Sequence, residues 1–222
     1  MNCSRSGPDF RLRLAQWVRD GNNVEFRRLL PRATVSDLES GYPLISGATA
    51  LQTFRLLGLC CYYGRDKQVE ALLQNPVQVD LHYKNPMRAH KETLYNAIDP
   101  GTPQSVRIFH LIKIEAERQG QPLTRHDYVW SLQTASTVGN VAVVQRILEE
   151  IQIETSERSF AFRFAATHGQ LEVVRFYTQQ FPTDALKQMI HHDEHWTFID
   201  TASKGHLQVV NILIQKRSFL MQ

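Results

Sequence analysis

Two groups of residues have types and spacing that chemistry could use. Cys60 and Cys61, in the run GLCCYYG, offer thiols beside tyrosines, and HHDEH at 191–195 offers imidazoles and carboxylates. A thiol acts as a nucleophile only as its thiolate, which needs a basic or cationic setting. His191 and His195 stand four apart, the spacing that places two imidazoles on one helical face for a metal such as zinc. HHDEH lacks the HExxH order, however, and no second ligand set lies elsewhere, so the segment reads as a solvated turn with no metal implied. GxxxxGK[ST], GxSxG, GxGxxG and paired CxxC motifs do not occur. The expectation is a chain that is not an enzyme, has no catalytic residues and needs no cofactor.

Composition narrows the class further. The 222 residues are 42% hydrophobic and 21% charged, with 11 Gly and 9 Pro, proportions of a globular chain with a core and not of a disordered one. The start, MNCSRSGPDFRLRLAQWVRD, has no apolar stretch of signal-peptide length, and no run approaches the roughly 18 apolar residues of a membrane span. The formal charge of +3 is too slight to demand a nucleic-acid partner. Its distribution is uneven: residues 1–32 hold seven arginines (Arg5, Arg11, Arg13, Arg19, Arg27, Arg28, Arg32) against Asp9, Asp20 and Glu25, so a basic N-terminal face is an alternative surface for nucleic acid or another acidic partner. Three cysteines, two of them adjacent, make no disulfide framework, which points to a reducing, cytoplasmic home.

The elements that position these residues come from an internal repeat. TASTVGNVAVVQRILE (134–149), FAATHGQLEVVRFYTQ (164–179) and DTASKGHLQVVNILIQ (200–215) align on a glycine. Counting from that glycine, position +5 is Val144, Val174 and Val210, position +2 is Val141, Leu171 and Leu207, and position −7 is Leu132, Phe162 and Phe198. Weaker copies fall on Gly21, Gly64 and Gly101, with Phe26, Val69 and Val106 at +5 and Leu14, Leu57 and Leu94 at −7. Each unit reads as two short helices: apolar or small residues at −7, −4 and −3 line the first, and +4, +5, +8 and +9 line the second. The glycine ends the first helix in the left-handed conformation. Neither helix pair can bury both its faces alone, so the units must stack. Cys60 and Cys61 occupy −4 and −3, the slots of Ala135, Ser136, Ala165 and Ala166, and are therefore read as packing residues.

These units resemble the ankyrin repeat, whose second half runs A-A-x-x-G-H-x-x-V-V-x-x-L-L; AATHGQLEVVRFY and ASKGHLQVVNILI are close copies, and ASTVGNVAVVQRIL is nearly as good. The resemblance spans about residues 12–217. It departs in two places: the T-P-L-H opening is absent, with Ala15, Gly58, Tyr95, Gln133, Arg163 and Ile199 at its His position, and the G-A-D-x-N hairpin is replaced by EEIQIETSERS and QQFPTDALKQMIHHDEHW. What it implies is an all-α, ankyrin-like helical-pair solenoid of about six units with one short extended finger, that finger best placed at Val77–Tyr83 in NPVQVDLHYKNP. In such stacks the residues before each glycine project to a concave, partner-binding face. The expected binding residues are then Arg19, Asp20, Tyr62, Tyr63, Asp99, Thr167, His168, Ser203 and Lys204, and the partner is another protein. Repeats that have lost T-P-L-H are also similar to those of proteins that intracellular bacteria deliver into host cells, which implies a host-cytoplasmic effector.

The linkers complete the organisation. Residues 1–32 form a basic N-terminal unit, 33–50 a loop rich in Gly and Ser, and 51–222 the stacked repeats, expected as one continuous domain. Thr124 and Asp127 have capping-box spacing, Thr183 or Asp184 can cap an extra helix through Ile190, and Trp130, Phe160 and Trp196, all at −9, are expected to form a structural ladder in the core.

Overall fold

A computed structural model describes residues 8–39, 42–43, 53–75, 81, 92–99, 101–191 and 196–220. The described chain is all-α but for one two-residue ribbon. Six helix pairs carry the repeats: α1 (Pro8–Asp20) with α2 (Asn23–Leu29), α4 (Leu56–Tyr62) with α5 (Asp66–Leu73), α6 (Glu92–Ile98) with α7 (Ser105–Arg118), α8 (Arg125–Val138) with α9 (Val141–Glu150), α10 (Thr155–Thr167) with α11 (Leu171–Gln180), and α13 (Trp196–Ser203) with α14 (Leu207–Leu220). The helix α3 (Val35–Glu39) and an antiparallel bridge of β1 (Tyr42–Pro43) with β2 (Thr53–Phe54) lie between the first two pairs, and α12 (Thr183–His191) lies between the last two. The chain divides into two compact units, Met1–Leu123 and Thr124–Gln222.

Each pair turns on its glycine. At Gly139 and Gly169 φ is +83° and +70°, a region where a Cβ is costly, and the next residue's N–H reaches back five residues, Asn140 to the Ala135 carbonyl and Gln170 to the Ala165 carbonyl. Carbonyls left over at the end of the first helix are thereby satisfied, and the chain reverses at once into the second.

In each unit, first helices pack on first helices and second helices on second helices. In Met1–Leu123, α1 touches α4 and α4 touches α6, while α2 touches α5 and α5 touches α7; in Thr124–Gln222 the runs are α8, α10, α13 and α9, α11, α14, with α12 packed against α10 and α14. The −7 residues Leu14, Leu57, Leu94, Leu132 and Phe162 are buried, as are the +5 residues Phe26, Val69, Val144, Val174 and Val210. Val174 has no exposed surface, and burial of this kind contributes about 1.5–3 kcal/mol per side chain. Cys60 and Cys61 are buried and free, as their slots require.

The residue after the glycine does more than complete the turn. The Arg65 Nε donates to the Val18 carbonyl at 2.8 Å and its Nη2 donates to that of Arg19, so the cation of the second pair caps the C-terminus of α1. Gln170 Nε2 donates to the Thr137 carbonyl at 2.7 Å, at the end of α8. The same side chains fill the space a Cβ would need on the preceding glycine: Arg65 over Gly21, Thr102 over Gly64, Gln170 over Gly139 and His206 over Gly169. In the first pair of each compact unit this position is asparagine, and it serves its own second helix: Asn22 accepts from Glu25 N–H and Asn140 from Val143 N–H.

Four features depart from the expectations. Residues 33–50 are not a loop throughout, because Thr34 and Asp37 bond reciprocally to start α3 and bury Asp37 and Leu38. In the third pair, Thr102 to Gln104 delay the second helix to position +4, which leaves Val106 half-buried while Ile108 and Phe109 are sealed. Phe198 keeps its −7 place but is only half-buried. The finger candidate at Val77–Tyr83 lies outside the described residues apart from the buried Leu81. The reciprocal Thr124–Asp127 cap and the extra helix from Thr183 are both present.

Gly169 and Gly205 separate the two demands on the turn. A Cβ on Gly169 would lie 2.5 Å from His206 Nδ1, whereas one on Gly205 meets nothing within 4 Å. Gly205→Ala should therefore lose only the left-handed penalty, about 1–2 kcal/mol, and Gly169→Ala measurably more, in paired urea denaturations.

Candidate functional site

The groups that offered chemistry are placed against it. Burial pushes both the Cys60 and Cys61 thiols far above their ordinary range, with Cys61 a further raising influence on Cys60. A thiol held protonated in an apolar slot is no nucleophile. His191 ends α12, and 192–195 lie outside the described residues; among the described residues no three His, Cys, Asp or Glu side chains group as metal ligands. No described helix is long and apolar enough to cross a membrane. Two surface grooves lined by described residues are open. One of about 570 Å³ lies between α5 and α7, where Glu115 is bound by Arg118 in a two-point ion pair at 2.5 and 2.7 Å that holds its carboxyl below the usual range. One of about 480 Å³ lies between α11 and α14 and is lined mostly by amides and cations such as Gln179, Gln208, Asn211 and Lys216. Neither brings acid, base and nucleophile together.

The residues before the glycines stand at the C-terminal ends of the first helices. Asp20 is exposed and accepts from Gln16 at 2.8 and 2.9 Å, and Arg19 is half-buried. Tyr62 and Tyr63 are half-buried and meet edge to face, ring centroids 5.4 Å apart. Asp99 is half-buried; His168, Ser203 and Lys204 are exposed. Thr167 leaves this group: it is 4% exposed and its hydroxyl donates back to the Arg163 carbonyl at 2.9 Å, so its side chain has nothing to offer a partner.

The larger surprise is the aromatic row at −9. Expected in the core, Phe160 is instead 43% exposed and Trp196 55% exposed, and Trp130 is half-buried. Phe164, one turn after Phe160, is also exposed, and its ring lies 6.4 Å from that of His168 one turn further on. Positions −9, −5 and −1 thus form one stripe along α10. On α13 the same positions are Trp196, Asp200 and Lys204, and Arg163 spans the two helices to Asp200 at 3.3 Å. Equivalent positions on packed neighbours lie side by side at about the 8–10 Å interaxial spacing. The alignment had shown that the aromatics share a register, but direction around the helix is set by what −8 and −4 bury, and Ser131, Ala135, Ala161, Ala165, Thr197 and Thr201 hold those places.

The N-terminal arginines are partly neutralised. Arg28 pairs with Glu25 at 2.6 Å and Arg11 with Asp37 at 3.8 Å, Arg13, Arg27 and Arg32 are exposed, and Arg5 lies outside the described residues.

No family model matches the sequence, and a search of curated proteins finds no match. The site therefore stands on its own geometry. With Cys3→Ser in place, the remaining thiols should give no titre with a disulfide reagent until denaturant unfolds the chain, followed by absorbance.

Proposed function

We propose that this chain is a non-catalytic protein-interaction module of ankyrin-like helical pairs, which binds another protein on the exposed face of its first helices. The observation that carries this reading is the solvent-facing stripe of Phe160, Phe164 and Trp196, with His168 and Lys204 at its polar edge. Large apolar side chains held on rigid helices lose little entropy when a partner covers them, and aromatic anchors dominate binding energies. Tyr62 and Tyr63 supply a comparable anchor within Met1–Leu123. Exposed apolar clusters rimmed by polar groups mark interaction sites. The ion pairs of Arg11 and Arg28 weigh against the alternative of a nucleic-acid surface, because paired cations release fewer counterions.

The test is capture of binding proteins on the immobilised chain, identification by mass spectrometry, and titration of the partner found. Phe160→Ala and Trp196→Ala should each weaken binding at least about thirtyfold, near 2 kcal/mol, with the thermal midpoint unchanged. Arg175→Ala, on the exposed face of α11, should leave affinity alone. Full affinity in both aromatic variants would remove the assignment.

A further inference from the structure

The polar edge of the Phe160, Phe164 and Trp196 stripe carries positive charge that the chain does not neutralise. On α13 the Asp200 carboxylate is bound by Arg163 at 3.3 Å, whereas Lys204, one turn on, is exposed and makes no ion pair among the described residues. His168 ends the stripe on α10, is exposed, and holds its Nδ1 2.9 Å from the Phe164 carbonyl oxygen. The Thr167 hydroxyl stands 3.4 Å from the same nitrogen but sends its proton to the Arg163 carbonyl. A carbonyl only accepts, so Nδ1 carries the ring's hydrogen and Nε2 is the nitrogen left for a ligand. Neutral, Nε2 presents a lone pair, which repels a carboxylate oxygen; protonated, it presents an N–H, which a carboxylate accepts. The elements packed against α10 bring few other charges to this end. They are Glu172 of α11, bound to Arg175 at 2.7 Å, Asp200 and Lys204 of α13, and His206 after α13, whose ring lies over Gly169. The half of α8 from Trp130 to Val138 has none, and the described side chains of α12 add one of each sign, Asp184 and Lys187.

Resting on the reading of this stripe as a docking face, we infer that the partner segment it takes is acidic and that a proton on His168 helps to hold it. Apolar side chains of the segment lie on Phe160, Phe164 and Trp196, and an Asp or Glu carboxylate meets the edge formed by Lys204 and protonated His168. Charge complementarity selects this occupant. Asp200 and Glu172 are already engaged by arginines, so a carboxylate from outside finds Lys204 unopposed. A basic segment would meet like charge where the covering partner lowers the dielectric. Nucleic acid is anionic too, but one lysine and one histidine neutralise few phosphates. Because the carboxylate favours the protonated imidazole, segment and proton each strengthen binding of the other. The complex is therefore tighter below the range in which imidazole takes up its proton and looser above it, while Lys204 stays charged throughout.

Random peptides about 12 residues long, displayed on phage, selected on the 222-residue chain and counter-selected on the Phe160→Ala/Trp196→Ala double variant, supply the probe. Enriched sequences should join aliphatic or aromatic residues to at least one Asp or Glu. For an enriched peptide without histidine, affinity read by fluorescence anisotropy should rise at least about fivefold between about pH 8 and pH 6. His168→Gln should remove that rise with the thermal midpoint unchanged, and Lys204→Glu should weaken binding at least about tenfold at both pH values. Failure to enrich any peptide over the double variant sinks the docking stripe and this inference together. Enriched peptides without acidic residues, a pH effect that survives His168→Gln, or full affinity in Lys204→Glu overturns this inference and leaves the stripe standing. So does a single-stranded thymidine oligonucleotide that binds more tightly than the peptides and loses affinity in the double variant.

Discussion

Within each compact unit, successive helix pairs are tied together at the position after the glycine of the later pair. A helix pair of fewer than 30 residues buries too little to stand alone, so its stability lies in the contact with its neighbour. That contact has a polar lock as well as an apolar seam. The side chain of Arg65, Thr102, Gln170 or His206 sits where the previous glycine has no Cβ, and Arg65 and Gln170 also satisfy carbonyls at the end of the previous first helix. The same glycine therefore meets two requirements at once, a left-handed backbone and an open space, and one residue type serves both. In the second, fourth and fifth pairs small side chains stand at −4 and −3, Cys60 and Cys61, Ala135 and Ser136, Ala165 and Ala166, and all are buried.

The functional surface follows from how that seam uses up the first helices. Positions −8, −7, −4 and −3 are spent on packing, and what remains outward is −9, −5 and −1. On α10 and α13 these hold Phe160, Phe164, His168, Trp196, Asp200 and Lys204, two apolar ends grading into polar ones. The stripe is rigid because the buried side of each helix fixes its rotation. Preorganised apolar surface of this kind loses little conformational entropy on binding.

Much of this was legible in the sequence. The recurring glycine, the apolar −7 and +5 positions, the Thr124 cap and the extra helix at Thr183 all follow from local rules of turning, capping and periodicity, which need no tertiary information. The cysteines too were placed by register, since Cys60 and Cys61 fall where other units have alanine or serine. What escaped were directions and lengths. Aromatic type argued for burial of Phe160 and Trp196, but helix rotation is decided by the competing small residues at −8 and −4. Pro103 sits in an ordinary repeat turn by sequence, yet Thr102 to Gln104 shift the second helix by two residues and redistribute burial among Val106, Ile108 and Phe109. The residue after the glycine was the overlooked signal. Asparagine there at 22 and 140 accompanies the first pair of each compact unit, and a longer or β-branched side chain, at 65, 102, 170 and 206, accompanies each later pair of the same unit.

The lighter covering of α13/α14 also sets an order of opening. Among the described residues α10/α11 packs on α8/α9, α12 and α13/α14, whereas α13/α14 packs on α10/α11 and α12 alone, and nothing lies within 4 Å of where a Cβ on Gly205 would stand. Local unfolding draws on the least supported elements first. Amide protons of α13 should thus exchange with solvent ahead of those of α10, although both helices are built on the same pattern, and a protease would find its first foothold at the turn around Gly205.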